Sequence, residues 1–138
     1  MILLDTNVLI YATEGASEFR SWARSTIGDA VSAEGAAINA VVLAEVCVGD
    51  GEPDSVAGRI RNWGIEILDV PAVAAPLCAT AYLAYRRQRA AESGKDSPRL
   101  PLPDFFIGAH AQVMGWSVAT VDPARFGTYF PTVPLKVP

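Results

Sequence analysis

The 138-residue sequence has one histidine, two cysteines and no apolar run of membrane-spanning length, and each shortage closes off a class of chemistry. With His110 alone, a zinc site built on several histidines is excluded. A Ser-His-Asp triad would hang on that one residue, which sits inside "FFIGAHAQVM" and reads more simply as an ordinary helix residue. Cys47 and Cys78 lie far apart in the apolar contexts "AEVCVG" and "APLCATA"; without the close spacing of a redox or zinc motif, they read as buried thiols. The longest uncharged apolar stretch, residues 70–85, contains Pro71 and Pro76 and is short for a membrane span. No "GxxxxGK[ST]" is present and no "GxGxxG" follows a strand, which removes the usual nucleotide-cradling loops. A basic leader is also missing, Asp5 arriving almost at once, so a soluble cytoplasmic protein with no membrane partner is expected.

Positive charge is scarce overall. The net charge of −4 argues against a protein that coats nucleic acid non-specifically. Its distribution is uneven: residues 86–99, "RRQRAAESGKDSPR", carry a net +3, so the remainder sums to −7. Arg86, Arg87 and Arg89 lead this basic run. They fit a steering patch for phosphates and equally a solvated helix end.

A chain of this length with 51% hydrophobic residues can bury a core as one domain, residues 1–138. Short β-rich runs at 2–5, 36–39, 65–70, 117–122 and 132–137 alternate with helical stretches at 18–27, 40–48, 54–63, 72–91 and 103–114. Strands too apolar to have a wet face favour a parallel sheet covered by helices, hence a three-layer α/β/α domain. Asn39 is placed to cap the helix at 40–48, "GDGEP" is a turn, and Gly115 stops the helix before it. "SGKDSPRLPLP" reads as a surface loop.

In such a sheet the functional crevice lies beyond the carboxyl ends of the strands. Asp5 and Asp122 stand at two of those ends. Glu45 interrupts the apolar "AVVLAEVCV", and Asp104 opens the helix before the fourth strand. Taken singly, Asp104 beside Pro103 and Asp122 before Pro123 look like helix-start residues, and Asp5 is open between bracing the first turn and a functional role. Glu45 is harder to dismiss, since a carboxylate in an apolar helix is desolvated unless something compensates it. Four carboxylates converging in one cleft raise one another's pKa values unless a cation or donors answer them. Oxygen-only donors suit Mg²⁺ or Mn²⁺, and Thr6, Asn7 and Thr120 add neutral oxygens able to orient them. A dehalogenase-type phosphatase would want a second Asp at position 7, where Asn7 stands.

"LLDTNVLI", "INAVVLAEVCVG", "LPLPDFFIGAHAQVMGWSVATVDPARF" and "YFPTVPL" together resemble PIN-domain ribonucleases, in particular the VapC-type toxins of toxin-antitoxin pairs. The resemblance runs over nearly the whole chain and lies in the order and spacing of the motifs. It maps the family's acids onto Asp5, Glu45, Asp104 and Asp122, and its small hydroxyl residue onto Thr120. His110 occupies a position where a small or hydroxyl residue is usual, and Asn39 one where Ser or Thr is frequent. The resemblance implies an endoribonuclease dependent on Mg²⁺ or Mn²⁺, leaving 5′-phosphate and 3′-hydroxyl ends. It further implies a cognate antitoxin and a homodimer. "EFRSWARSTI", with Phe19 and Trp22, is a candidate docking or dimer surface, although core packing explains it as well. The rival from another class is a non-catalytic PIN-like module that binds RNA or protein without cutting.

Overall fold

The structure, a computed structural model, describes residues 1–14, 16–93 and 102–138. In chain order these form β1 (Ile2–Leu4), α1 (Thr6–Thr13), α2 (Arg20–Ser32), β2 (Ala36–Asn39), α3 (Ala40–Val48), α4 (Pro53–Asn62) and β3 (Ile65–Leu68). They continue with α5 (Ala74–Ser93), α6 (Leu102–Met114), β4 (Ser117–Ala119), α7 (Ala124–Tyr129) and β5 (Leu135–Lys136). The strands make one parallel sheet in the order β3-β2-β1-β4-β5. Helices flank it in the expected three-layer α/β/α arrangement. Every residue of β1 and β2 is buried, which is why these strands read as unbroken apolar runs.

The strand order fixes where a site can form. From β1 the chain crosses to β2 on one side, and from β4 it crosses to β5 on the other, so the crevice opens between the carboxyl ends of β1 and β4. Leu4 pairs with Ala119 at that edge, and the next N–H, that of Asp5, donates to the Ala119 carbonyl at 3.0 Å.

Local chemistry sets the boundaries. Asp5 Oδ1 accepts the Thr6 N–H at 2.7 Å as the N-cap of α1, and Asn39 Oδ1 accepts the N–H groups of Val41 and Val42, both at 3.1 Å, as the N-cap of α3. Helix α6 ends at Gly115, whose φ of +69° suits only glycine well. The Trp116 N–H reaches the Ala111 carbonyl at 2.9 Å and the Gly115 N–H reaches that of Gln112 at 3.2 Å, the paired bonds of a Schellman turn.

Elsewhere the structure departs from the sequence pattern. Helices α1 and α7 have no counterpart in it, and α2 runs on to Ser32, well past residue 27. Strand β4 stops at Ala119 instead of residue 122, β3 stops at Leu68, and β5 keeps only two residues. Cys78 is buried, but Cys47 is only half-buried, because α3 turns one side outward and leaves Val48 88% exposed. Phe19 packs within the chain, its ring centroid 5.4 Å from that of Tyr11, and Trp22 rests against the core. The expected loop at 93–103 falls largely outside the described residues. Among the described residues, no helix is long and apolar enough to cross a membrane.

An aromatic cluster fixes the start of α6. The buried Phe105 ring lies 5.8 Å from Tyr82, 5.4 Å from Tyr85, 5.5 Å from Tyr129 and 6.1 Å from Phe130, joining α5, α6 and the end of α7. Gly108, one turn further along α6, sits against the Phe130 ring, and a Cβ there would fall 2.8 Å from Phe130 Cγ and closer still to the ring edge. Phe130 is fully buried and has little room to retreat. Gly108→Ala is therefore expected to destabilise the fold by about 2 kcal/mol despite alanine's better helix propensity. Gly58→Ala, in α4 with open space around it, is expected to stabilise by up to about 1 kcal/mol. Urea midpoints of the two variants moving in the same direction would refute this packing account.

Candidate active site

The crevice between β1 and β4 is built around Asp5. Its residue is 4% exposed, and both carboxylate oxygens are engaged: Oδ1 by the Thr6 N–H and Oδ2 by the Thr120 hydroxyl at 2.7 Å. Thr120 follows β4 directly, and its Oγ1 also accepts the Asp122 N–H at 3.0 Å. One hydroxyl thus ties the first acid to the turn that carries the last. Asn7, in the first turn of α1, accepts the Val121 N–H at 3.3 Å and braces the same turn from the other side.

Glu45 reaches the site from α3. The Thr6 hydroxyl donates to Glu45 Oε1 at 2.7 Å, so this single residue at the start of α1 addresses two acids, Asp5 by its backbone N–H and Glu45 by its hydroxyl. Glu45 is half-buried, and α3 is not enclosed on every side as its sequence suggests; the strongly desolvated acid is Asp5. Burial pushes the Asp5 carboxyl up to about 6; the charges of Asp104 and Glu45 add to the rise, while the Thr120 and Thr6 bonds oppose it.

Asp104 lies in the first turn of α6. Its carboxyl is also pushed up, chiefly by burial and further by the charge of Asp122, and it is held down in part by Arg125, whose guanidinium pairs with Asp104 Oδ2. Asp122 is exposed on the turn after β4 and is not the N-cap of α7, a place held by Pro123. Asp122 stands just before the start of α7 but makes no side-chain capping bond to it.

The four acids act on one another through their charges, as these shifts show, but they are not packed as a ready cage. Among the described residues, no three His, Cys, Asp or Glu side chains are placed to hold a metal ion together. The donor chemistry fits a hard divalent cation, being all oxygen with hydroxyls and an amide behind it. The spacing, with Arg125 on Asp104, does not yet close around one.

Two residues carry structure that the sequence pattern hides. Buried His110 faces Asn39, with Nδ1 3.3 Å from Asn39 Nδ2, and its ring lies 5.6 Å from that of Trp116. With its pKa lowered by burial, the neutral ring can accept from the Asn39 amide, which links α6 to the cap of α3 and hence the helix of Asp104 to that of Glu45. Arg125 is the second; its only sequence signal is its place three residues after Asp122. Arg86, Arg87 and Arg89 lie on α5, Arg86 half-buried and the other two exposed, and Tyr85 just before them sits under Arg125 with its ring centroid 5.6 Å from Cζ.

The sequence matches the PIN domain family over residues 2–127. A comparison with curated proteins gives no match. Among solved structures, the chain is similar to FitAcB from Neisseria gonorrhoeae, 26% identical with a TM-score of 0.62 over 98% of this chain and 96% of that one. It is similar to VapBC2 from Rickettsia felis, bound to a promoter DNA fragment, at 22% identity and a TM-score of 0.64 over 99% and 98%. VapC20 from Mycobacterium tuberculosis, a sarcin-ricin loop cleaving toxin, shares the fold at 13% identity and a TM-score of 0.61 over 97% and 99%. With nine-tenths of the chain inside the family match, and the acids set around the crevice that its strand order creates, the chain belongs to the PIN domain family.

Proposed function

We propose that this chain, as one PIN domain over residues 1–138, is a Mg²⁺- or Mn²⁺-dependent endoribonuclease, the cytoplasmic toxin of a toxin-antitoxin pair. The observation that carries the reading is the buried Asp5 at the crevice, its carboxyl raised by burial and by Asp104 and Glu45. Asp5 also caps α1, yet an ionised carboxylate so enclosed costs stability until a cation answers it, which supports a metal-holding role.

In this reading Asp5, Glu45, Asp104 and Asp122 hold the ion. A bound divalent ion supplies Lewis-acid stabilisation of the phosphodiester and a water of lowered pKa. Thr120 keeps Asp5 Oδ2 in place and Thr6 keeps Glu45 turned inward, while Asn7 holds the Val121 turn from which Asp122 extends. Arg86, Arg87 and Arg89 receive flanking phosphates of the RNA.

Structural relatives caught as VapBC and FitAcB complexes support an antitoxin partner. A cavity of about 510 Å³ between α1, α3 and α4, lined by Leu9, Ile10, Val46, Ile60 and Trp63 and bordered by Glu45, offers such a partner an apolar seat beside the acids. Light scattering on the isolated chain checks the accompanying expectation of a homodimer.

A second reading, a PIN-like module that binds without cutting, draws on the absence of a three-ligand cluster among the described residues. One experiment separates the two. Purified protein is incubated with structured RNAs, a sarcin-ricin stem-loop among them, in Mg²⁺, Mn²⁺ or chelator, and the ends are mapped. Metal-dependent products with 5′-phosphate and 3′-hydroxyl ends support the nuclease; retention of RNA without cleavage in any metal supports the module.

The basic run has its own test. Replacing Arg86, Arg87 and Arg89 together by Ala is expected to flatten the dependence of log K on log salt by roughly 2, at about 0.7 per lost contact to a single strand. An unchanged slope in a fluorescence-anisotropy titration would return these arginines to the role of a solvated helix end.

A further inference from the structure

We propose that Arg125 is the built-in cation of this site: it holds Asp104 when the acids are without a divalent ion, and contacts a substrate phosphate once Asp104 is engaged by one. The proposal rests on the nuclease reading above.

Three observations carry it. The Arg125 guanidinium pairs with Asp104 Oδ2, so one of the four acids already has a counter-charge from its own chain. Among the described residues no three acids stand ready to hold an ion, so any cation that needs Asp104 must compete with Arg125. The guanidinium is also held in place: it lies over Tyr85, and Tyr85 packs on Phe105 at 5.4 Å and on Tyr129 at 5.8 Å, beside Asp104 in sequence and at the end of α7.

A purely structural role for the pair is poorly motivated. Buried Phe126 and Phe130 already anchor α7 and its end. The pair instead sits at the rim of the crevice, part-buried but with side chains 28% and 25% exposed, where solvent still reaches both partners. Arginine suits both partners, because its planar fork matches carboxylate and phosphate alike and its stacking on an aromatic face survives the exchange.

Arg125→Gln separates the two halves of the proposal. Titrated with Mn²⁺ without RNA and followed by electron paramagnetic resonance of the free ion, it is expected to bind Mn²⁺ roughly fivefold more tightly than wild type, its competitor having gone. With a fluorescein-labelled stem-loop RNA in Ca²⁺, it is expected to bind roughly tenfold more weakly, having lost a charge-assisted contact. Arg125→Lys keeps the charge without the fork, so its Mn²⁺ affinity should stay near wild type and its RNA affinity should fall between the two. Unchanged or weaker Mn²⁺ binding by Arg125→Gln overturns the competition, and RNA binding equal to wild type overturns the phosphate contact. A wild-type protein that neither binds Mn²⁺ nor cuts RNA is a different result, which brings down the nuclease reading and this proposal with it.

Discussion

Asp5→Asn and, separately, Asp104→Asn are expected to lower metal-dependent RNA cleavage by a factor on the order of 10³ while leaving the protein folded. For Asp5 the argument is geometric. Its oxygens take donors from Thr6 and Thr120 at 2.7 Å each, and an asparagine of the same shape keeps the Thr6 bond through its carbonyl. The cap of α1 and the β1–β4 edge therefore survive, and what disappears is the negative charge at the crevice. For Asp104 the fold is safer still, because the aromatic cluster around Phe105 fixes the start of α6 without the carboxylate. Cleavage of a stem-loop RNA in Mn²⁺, with circular dichroism of each variant alongside, is the measurement. Wild-type rates from both variants would end the assignment of these acids.

Much of this layout is visible in the residues themselves, for reasons that can be named. β2 and α3 match the sequence pattern to the residue, because an apolar strand, a capping asparagine and an apolar helix follow one another there without ambiguity. The Schellman turn at Gly115 is announced by the glycine. α1 is not: "VLIYAT" has the β-branched and aromatic content of a strand, and it becomes helical because Asp5 caps it and its buried side packs as Val8, Leu9 and Ala12. β4 ends earlier than its sequence run: the Thr120 N–H still reaches the Lys136 carbonyl at 3.0 Å, and its side chain is turned to Asp5 and the Asp122 N–H where the chain leaves the sheet.

The site divides in the same way. The expectation that four acids share one crevice comes from strand ends, a helix start and one acid in an apolar helix, since a parallel sheet has one crevice to which they can point. Which of them is buried is not legible. Glu45, in the more apolar sequence, is half-buried, while Asp5, between a strand and two polar residues, is enclosed. The pairing of Asp104 with Arg125 spans 21 residues and obeys no local periodicity, so only the packing of α7 against α6 reveals it. That pairing also moves the charge-repulsion argument from Asp104, which has a counter-charge, to Asp5, which has none beyond its hydrogen bonds.

Metal-free Asp5→Asn should consequently be more stable than metal-free wild type at neutral pH, and Mn²⁺ should reverse the order. A carboxyl raised from 3.8 to about 6 represents roughly 3 kcal/mol of penalty on the ionised form. Part of that relief is lost because the asparagine amide meets the Thr120 hydroxyl, which must redirect its proton, so a net gain of about 1–2 kcal/mol is expected, or roughly 3–8 °C in Tm. The pH dependence follows from the direction of the shift. Folded Asp5 holds its proton at higher pH than unfolded Asp5, so wild type recovers stability as the pH falls from about 7 towards 4, and the gap between the two proteins closes over that range. His110 acts oppositely: its folded pKa lies below 6.5, so the unfolded state takes the proton first and stability is lost on acidification. It is present in both proteins and cancels in their difference. With Mn²⁺, wild type gains more by mass action because it keeps all four acids. Differential scanning fluorimetry at pH 7.5, 6 and 4.5, in chelator and in Mn²⁺, reads all of this at once. A variant less stable than wild type by the same margin in chelator and in Mn²⁺ would make Asp5 the structural brace of α1, and the crevice between β1 and β4 would lose the acid at its centre.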